Sequence, residues 1–228
     1  LMYMYLNCCC KGRVLGEVEG PFGHQLVARW KDRMVCARSD MKGFDIIDCG
    51  KPTAPFKERS VLLNLHSLSI DNLGRLFVTT EHNVRVFDLN KGFEEVTTYA
   101  KYGDGFDAVC AWDEHVFVAT RKRGLLKAKL VKDGRKLVLE EEFAWKMPHR
   151  KPEFMTVDAN GLYLGYENFG VYALNKTTFE TQGYYRTGLH YPGMQARSLT
   201  GLFCYQNKIF ISEHFGQVTI LKRTDIEE

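Results

Sequence analysis

One short apolar pattern recurs five times along the chain, and no other feature restricts the available folds so tightly. The copies are Arg33-Met34-Val35-Cys36-Ala37-Arg38, Arg75-Leu76-Phe77-Val78-Thr79-Thr80, His115-Val116-Phe117-Val118-Ala119-Thr120, Gly161-Leu162-Tyr163-Leu164-Gly165-Tyr166 and Lys208-Ile209-Phe210-Ile211-Ser212. Their first apolar residues lie 42, 40, 46 and 47 positions apart. Each copy is rich in β-branched or aromatic residues and is followed by a short polar turn, which reads as a strand. The flanks repeat too. A strand precedes each copy: Gln25 to Trp30, Ser67 to Asp71, Asp107 to Trp112, Phe154 to Asp158 and Leu199 to Tyr205. Another follows: Phe44 to Asp48, Val84 to Leu89, Leu125 to Leu130, Val171 to Leu174 and Gln217 to Leu221. A weaker fourth strand is visible at Glu94 to Tyr99, Lys136 to Glu142 and Thr181 to Tyr185. Asn72-Leu73-Gly74 and Asn160-Gly161 supply turn residues that tolerate positive φ. Four antiparallel strands in a period of about 40–50 residues are the signature of a β-propeller blade.

The ends of the chain suggest a ring closure. Pairing Arg13 to Glu19 with Gln217 to Leu221 would complete the last blade and remove an exposed strand edge. Met2 to Leu6 then duplicates a strand already present, and a propeller of six or more blades in a longer protein is the alternative. The expected fold is all-β: a β-propeller of five four-stranded antiparallel blades, with the N-terminal strand closing the C-terminal blade. It occupies residues 1–228 as one domain, with blades near 25–64, 65–104, 105–152, 153–196, and 197–228 plus 1–24. A chain of 228 residues with 45% hydrophobic residues has the length and composition for a core of that size.

Ser69-Ile70-Asp71-Asn72-Leu73-Gly74-Arg75-Leu76-Phe77-Val78-Thr79-Thr80, continued by Asn83-Val84-Arg85-Val86-Phe87-Asp88, resembles the NHL-type repeat, as does Val157-Asp158-Ala159-Asn160-Gly161-Leu162-Tyr163-Leu164. The remaining blades match it loosely. The chain departs from WD repeats, because no Gly-His opener and no Trp-Asp closer stand at blade spacing. The NHL resemblance implies the propeller fold more than any activity. It also brings two functional precedents: RNA binding on the loop face, and calcium lactonases with acidic and Asn ligands around the axis.

In this strand order, the turns between second and third strands and the blade-to-blade loops share one face. That face collects His24, His66, His82, His149, His190 and His214, together with Arg38, Glu81, Arg121, Lys122, Arg123, Glu167 and Glu213. The positions that follow the second strands run Arg38, Glu81, Arg121, Glu167, Glu213, where two arginines would oppose a cation and alternating charges favour ion pairs. No metal ligand set and no cofactor are therefore expected. No G-x-S-x-G occurs, and Cys110 with the nearby His115 reads as a core thiol beside a turn histidine. No catalytic residue is assigned, and the chain is expected not to be an enzyme.

Three functional readings follow. The first is a scaffold that binds a protein partner through this face, with the loop bearing His190, Tyr191 and Met194 as an aromatic and methionine-rich anchor. The second is single-stranded RNA binding by Arg121, Lys122, Arg123, His149 and Arg150, with Tyr166, Phe169, Tyr191 and Phe215 as stacking surfaces. The third is a metal-dependent, lactonase-like enzyme. The protein-binding reading leads, and its partner-binding residues are Arg121, Lys122, Arg123, His149, Arg150, His190, Tyr191, Met194, His82, His214 and Phe215. A net charge of +3 does not announce a nucleic-acid protein by itself. No apolar run reaches the roughly 18 residues of a membrane helix, so no membrane contact is expected, nor is a small-molecule ligand. Seven cysteines without C-x-x-C spacing favour a reducing compartment, the cytoplasm with the nucleus as the alternative.

Overall fold

The computed structural model describes residues 2–8, 13–20, 24–38, 43–48, 57–60, 65–100, 104–133, 136–147, 151–166, 169–186, 199–205, 208–213 and 217–222. They form a five-bladed β-propeller. Blade 1 comprises β3 (His24–Trp30), β4 (Arg33–Arg38), β5 (Gly43–Asp48) and β6 (Lys57–Ser60), where β1 (Met2–Cys8) and β2 (Arg13–Gly20) precede it as a separate two-stranded sheet. Blade 2 comprises β7 (Leu65–Ile70), β8 (Arg75–Thr80), β9 (Val84–Asp88) and β10 (Glu94–Tyr99). Blade 3 comprises β11 (Phe106–Trp112), β12 (His115–Thr120), β13 (Gly124–Asp133) and β14 (Lys136–Trp145). Blade 4 comprises β15 (Phe154–Val157), β16 (Leu162–Tyr166), β17 (Gly170–Leu174) and β18 (Thr181–Tyr185). Blade 5 has three strands, β19 (Leu199–Tyr205), β20 (Lys208–Glu213) and β21 (Gln217–Lys222). One 3-10 turn, Leu89–Lys91, is the sole helical element among the described residues.

Every blade is antiparallel and ordered as in the chain, so the first strand is innermost and the last outermost. The side chains follow that gradient. Six of the seven residues of β11 are buried, whereas β10 carries no buried residue. Strands buried on both faces lose the polar alternation of a half-exposed strand, which is why the second strands read as continuous apolar runs.

The blades stack face to face. The face that blade 1 turns toward blade 2 presents Val35, Ala37 and Phe44, packed on Leu65, Leu76, Val78 and Phe87. Blade 2 presents Phe77, Val84 and Val86 to Val109, Val116, Val118 and Leu126 of blade 3. Blade 3 in turn presents Ala108, Phe117, Ala119 and Leu125 to Leu162, Leu164, Tyr166 and Phe179 of blade 4. Tyr163, Val171 and Ala173 of blade 4 meet Leu199, Ile209, Ile211 and Leu221 of blade 5. Each fully buried large side chain contributes roughly 1.5–3 kcal/mol.

Innermost strands have one edge with no strand beside it, and hydroxyls of the preceding blade help satisfy that edge. Ser67 Oγ accepts from the Val109 amide at 3.2 Å, and Ser69 Oγ from the Ala111 amide at 3.3 Å. Thr79 Oγ1 donates to the Asp107 carbonyl at 3.2 Å. A buried backbone group left unpaired costs about 1–3 kcal/mol, so these bonds fix the register between neighbouring blades.

The expected ring closure differs from what is observed. Residues 13–20 pair with residues 2–8, from Met2 opposite Gly20 to Cys8 opposite Arg13, and β19–β20–β21 forms a sheet without them. A hairpin closes a loop of a few residues, while the expected pairing would span nearly the whole chain, and loop-closure entropy favours the local partner. The fourth strand expected in blade 1 is β6, at a position the sequence did not mark: Lys57-Glu58-Arg59-Ser60 has no strand propensity and takes its conformation from pairing with β5.

Two glycines start the third strands of blades 3 and 4 in the left-handed region, Gly124 at φ +84° and Gly170 at φ +111°. A Cβ on either would collide with a carbonyl oxygen at the end of the fourth strand, that of Trp145 or of Tyr185. Gly124→Ala and Gly170→Ala are each expected to cost about 3 kcal/mol in urea unfolding, with a melting temperature lower by roughly 5–10 °C. Gly161→Ala, whose backbone lies outside that region, should cost distinctly less.

Candidate interaction face

The innermost strands share a defect that the alternation of residues did not reveal. In β3, β7, β11 and β19 the register against the second strand shifts after the first residue, which leaves Gln25, His66, Asp107 and Thr200 as bulged residues. In blade 4, the Glu153 amide bonds the Gly165 carbonyl at 2.9 Å, the residue that Phe154 also faces, so Glu153 takes the same place. All five are polar. Bulges re-aim side chains at strand ends, and here they set one polar residue per blade at the end where the second-to-third-strand turns lie. The sequence signal was a polar residue breaking an apolar run, as in Leu65-His66-Ser67 and Phe106-Asp107-Ala108.

Threonines at the ends of the second strands build the neighbouring turns. Thr80 Oγ1 accepts from the amides of His82 and Asn83, both at 3.2 Å, and bonds Asn83 Oδ1 at 3.0 Å. In the next blade, Thr120 Oγ1 donates to the Gly124 carbonyl at 2.9 Å and accepts from the Arg123 amide at 3.0 Å. These turns carry His82, Arg121, Lys122 and Arg123, and the structure brings the two arginines into a dense ionic network.

Arg121 Nε donates to Asp107 Oδ1 at 3.0 Å, and its Nη1 stands 3.5 Å from Glu81 Oε1 of blade 2. Its backbone amide bonds the Gly105 carbonyl at 3.0 Å, and its aliphatic stem passes over Gly105, where a Cβ would lie 2.9 Å from Cδ. The Asp107 side chain is almost wholly buried, and its Oδ2 makes no hydrogen bond among the described residues. Arg123 Nε donates to Asp104 Oδ2 at 2.6 Å and Nη1 to Glu141 Oε2 at 2.5 Å, while Nη2 donates to the Tyr99 hydroxyl at 2.9 Å. Tyr99 also bonds Glu141 and stacks its ring edge-on to Phe106, centroids 5.9 Å apart. Since Tyr99 belongs to blade 2, this network clamps blades 2 and 3 together at their outer side.

Two cations, Arg121 and Arg123, thus stand among four carboxylates: Glu81, Asp104, Asp107 and Glu141. Lys122 is exposed and has no ion-pair partner among the described residues; His82 is likewise exposed. His66 is half-buried, its Nδ1 2.8 Å from the Phe106 carbonyl oxygen. The expected alternation of Arg and Glu after the second strands is met by the Glu81–Arg121 pair. Asp104, Asp107, Glu141 and Tyr99 were not anticipated, because their partners lie in neighbouring strands and turns rather than nearby in sequence. Tyr166, expected as a stacking surface, is 1% exposed and packs edge-on against Tyr172 at 5.6 Å, while Phe169 is 49% exposed. His149, Arg150, His190, Tyr191, Met194, His214 and Phe215 lie outside the described residues.

Cys110 is buried in the core between blades 3 and 4, and burial pushes its thiol well above the usual range, which keeps it protonated. His115 instead meets Glu142, Nε2 to Oε2 3.3 Å. Among the described residues, no group of three or more His, Cys, Asp or Glu side chains is placed to share a metal ion.

No protein-family model matches the chain, and no curated protein matches it in sequence. Its fold is similar to that of solved propeller structures. The computationally designed Ika8 protein has a TM-score of 0.62 at 12% identity, over 99% of this chain and 67% of that one. A streptogramin B lyase gives 0.60 at 15% identity, over 90% and 70%. BamB from Moraxella catarrhalis gives 0.58 at 13% identity, over 100% and 62%. The chain therefore spans about two thirds of the length of these structures, and the likeness is one of fold.

Replacing Arg121 by Met would leave the buried Asp107 carboxylate without a counter-charge, and a loss of about 2 kcal/mol is expected in urea unfolding. Lys122→Ala should stay within about 0.5 kcal/mol of the parent chain.

Proposed function

We propose that the chain is a non-catalytic interaction module that binds a protein partner on the face formed by the 81–83 and 121–123 turns and the bulged ends of the innermost strands. The observation that carries this reading is the internal pairing of Arg121 and Arg123. A groove that tracks phosphates needs unengaged cations, since binding there is driven by neutralising the backbone charge. Here two of the three basic side chains are already held by Asp104, Asp107, Glu81 and Glu141. What remains is a rigid surface of mixed charge with Lys122 and His82 projecting from it, the kind of surface that matches a protein of complementary charge pattern. His190, Tyr191 and Met194 join this reading on their sequence alone, as aromatic and methionine anchors.

Single-stranded RNA binding is the second reading; Lys122 and Phe169 favour it, and the buried position of Tyr166 weighs against it. The fold does not choose between these classes or exclude catalysis, because similar propellers include a lyase by name.

A photoreactive benzoylphenylalanine placed at position 82 or 122 tests the proposal. In nuclease-treated lysate, a discrete protein adduct is expected from both positions and none from position 73, on a turn at the other end of β8. Adducts that disappear with nuclease would transfer the function to RNA. Absence of any adduct at 82 and 122 would remove this face from partner binding.

A further inference from the structure

Charges and hydrogen bonds around Arg121 do not balance. Four carboxylates, Glu81, Asp104, Asp107 and Glu141, meet two arginines, and counting Lys122 as well still leaves one negative charge in excess. The surplus is uneven. Asp104 and Glu141 both accept hydrogen bonds from Arg123. Asp107 and Glu81 share Arg121, and there the bonding is incomplete. The Asp107 side chain is 3% exposed, yet only Oδ1 meets Arg121, while Oδ2 is buried with no hydrogen bond among the described residues. Glu81 is 47% exposed, and its carboxylate stands 3.5 Å from Arg121 Nη1, longer than a charge-assisted hydrogen bond.

We infer, on the protein-binding reading of this face, that the partner presents an arginine side chain here, whose guanidinium bridges Asp107 Oδ2 and the Glu81 carboxylate.

Three observations select that group. First, what is unsatisfied at this end of blades 2 and 3 accepts hydrogen bonds and does not donate them. Besides the two carboxylates there is His66: a carbonyl only accepts, so Nδ1, 2.8 Å from the Phe106 carbonyl oxygen, carries a proton, and Nε2 of the neutral ring holds a lone pair. An array of acceptors with surplus negative charge calls for a cationic donor, and a donor to the buried Oδ2 recovers the free energy lost by leaving it unpaired. Second, no three of the His, Cys, Asp and Glu side chains among the described residues are placed to share a metal ion, so the cation is an organic one. Third, Asp107 and Glu81 already contact nitrogens of a single guanidinium, that of Arg121, and so lie close enough for another to touch both. A planar fork of five donors serves two carboxylates where an ammonium acts as a point charge. The acceptors are held in place: Thr79 Oγ1 donates to the Asp107 carbonyl at 3.2 Å, and the Arg121 amide bonds the Gly105 carbonyl at 3.0 Å. Entry requires the Arg121 guanidinium, which is 44% exposed, to turn outward on its stem over Gly105, and the incoming guanidinium then supplies the counter-charge that Asp107 would lose.

Titration of the isotope-labelled chain with the peptide acetyl-Gly-Arg-Gly-amide, followed by amide chemical shifts, tests this. Saturable shifts are expected at residues 81, 105–107 and 121, with a Kd of about 1–10 mM, the strength of one side chain taken without the rest of a partner. The citrulline peptide, of the same shape without the charge, should leave these amides unmoved. Asp107→Asn should weaken binding at least about tenfold. Glu81→Gln, at a half-exposed residue whose replacement does not threaten the fold, should weaken it about threefold. No saturable shift near residue 107, equal shifts with the citrulline peptide, or affinity indifferent to both variants overturns the inference. Its failure is distinguishable from failure of the protein-binding reading: cross-linked adducts at 82 and 122 without arginine-peptide binding overturn the arginine alone, whereas a chain that yields no adduct overturns the protein partner.

Discussion

Face-to-face burial between successive blades is the interaction on which the rest of the structure depends. A single four-stranded sheet of this size has two apolar faces and cannot bury either one alone. Stacking solves the problem for both faces of every interior blade at once: Val35, Phe77, Phe117 and Tyr163, at matching places on four second strands, are each covered by the next blade. The repeat in sequence is the record of that demand. It also explains why strand identity tracks radial position. The inner two strands see protein on both faces and carry β-branched and aromatic residues. The outer strand sees solvent and tolerates Glu94, Glu95 and Thr98.

A second constraint operates at the centre, where geometry leaves each first strand with an edge that no strand can pair. The hydroxyls of Ser67, Ser69 and Thr79 reach across to the next blade to serve that edge. At the strand ends the bulged residues are polar in every blade. Polarity at the centre is thus imposed by backbone chemistry before any ligand is considered, and a polar axis in such a fold is weak grounds for a binding site. The ionic network around Arg121 and Arg123 is stronger grounds for a different reason. It joins two blades through side chains rather than backbone edges, and leaves a carboxylate oxygen of Asp107 buried with no hydrogen bond among the described residues.

The legibility of the fold in the sequence follows burial. β4, β8 and β12 match their expected limits residue for residue, because strands buried on both faces have few other ways to satisfy their composition. β6 escaped notice because its four polar residues carry no pattern, and β2 was given the wrong partner because the residues of a strand do not state which edge it will meet. The candidate face was legible in part. The 81–83 and 121–123 turns were placed together correctly, yet the cluster Arg121-Lys122-Arg123 read as a basic patch. Its neutralisation depends on Asp104, Asp107 and Glu141, which reach it from other strands, and charge counted along a chain says nothing about charge counted across a sheet.

Two surfaces of the molecule differ in what they ask of the fold. The turn-bearing face is held by hydrogen bonds and ion pairs that span blades 2 and 3, so its shape is as rigid as the blade interface beneath it, and a partner would bind without first ordering it. The apolar side of blade 5 has the opposite character. Its exposed Val218 and Ile220 stand, by the strand register, where Val84 and Val86 hold blade 2 to blade 3. In a stacked architecture, whether a given blade face is core or surface is therefore decided by what stands next to it, not by its sequence.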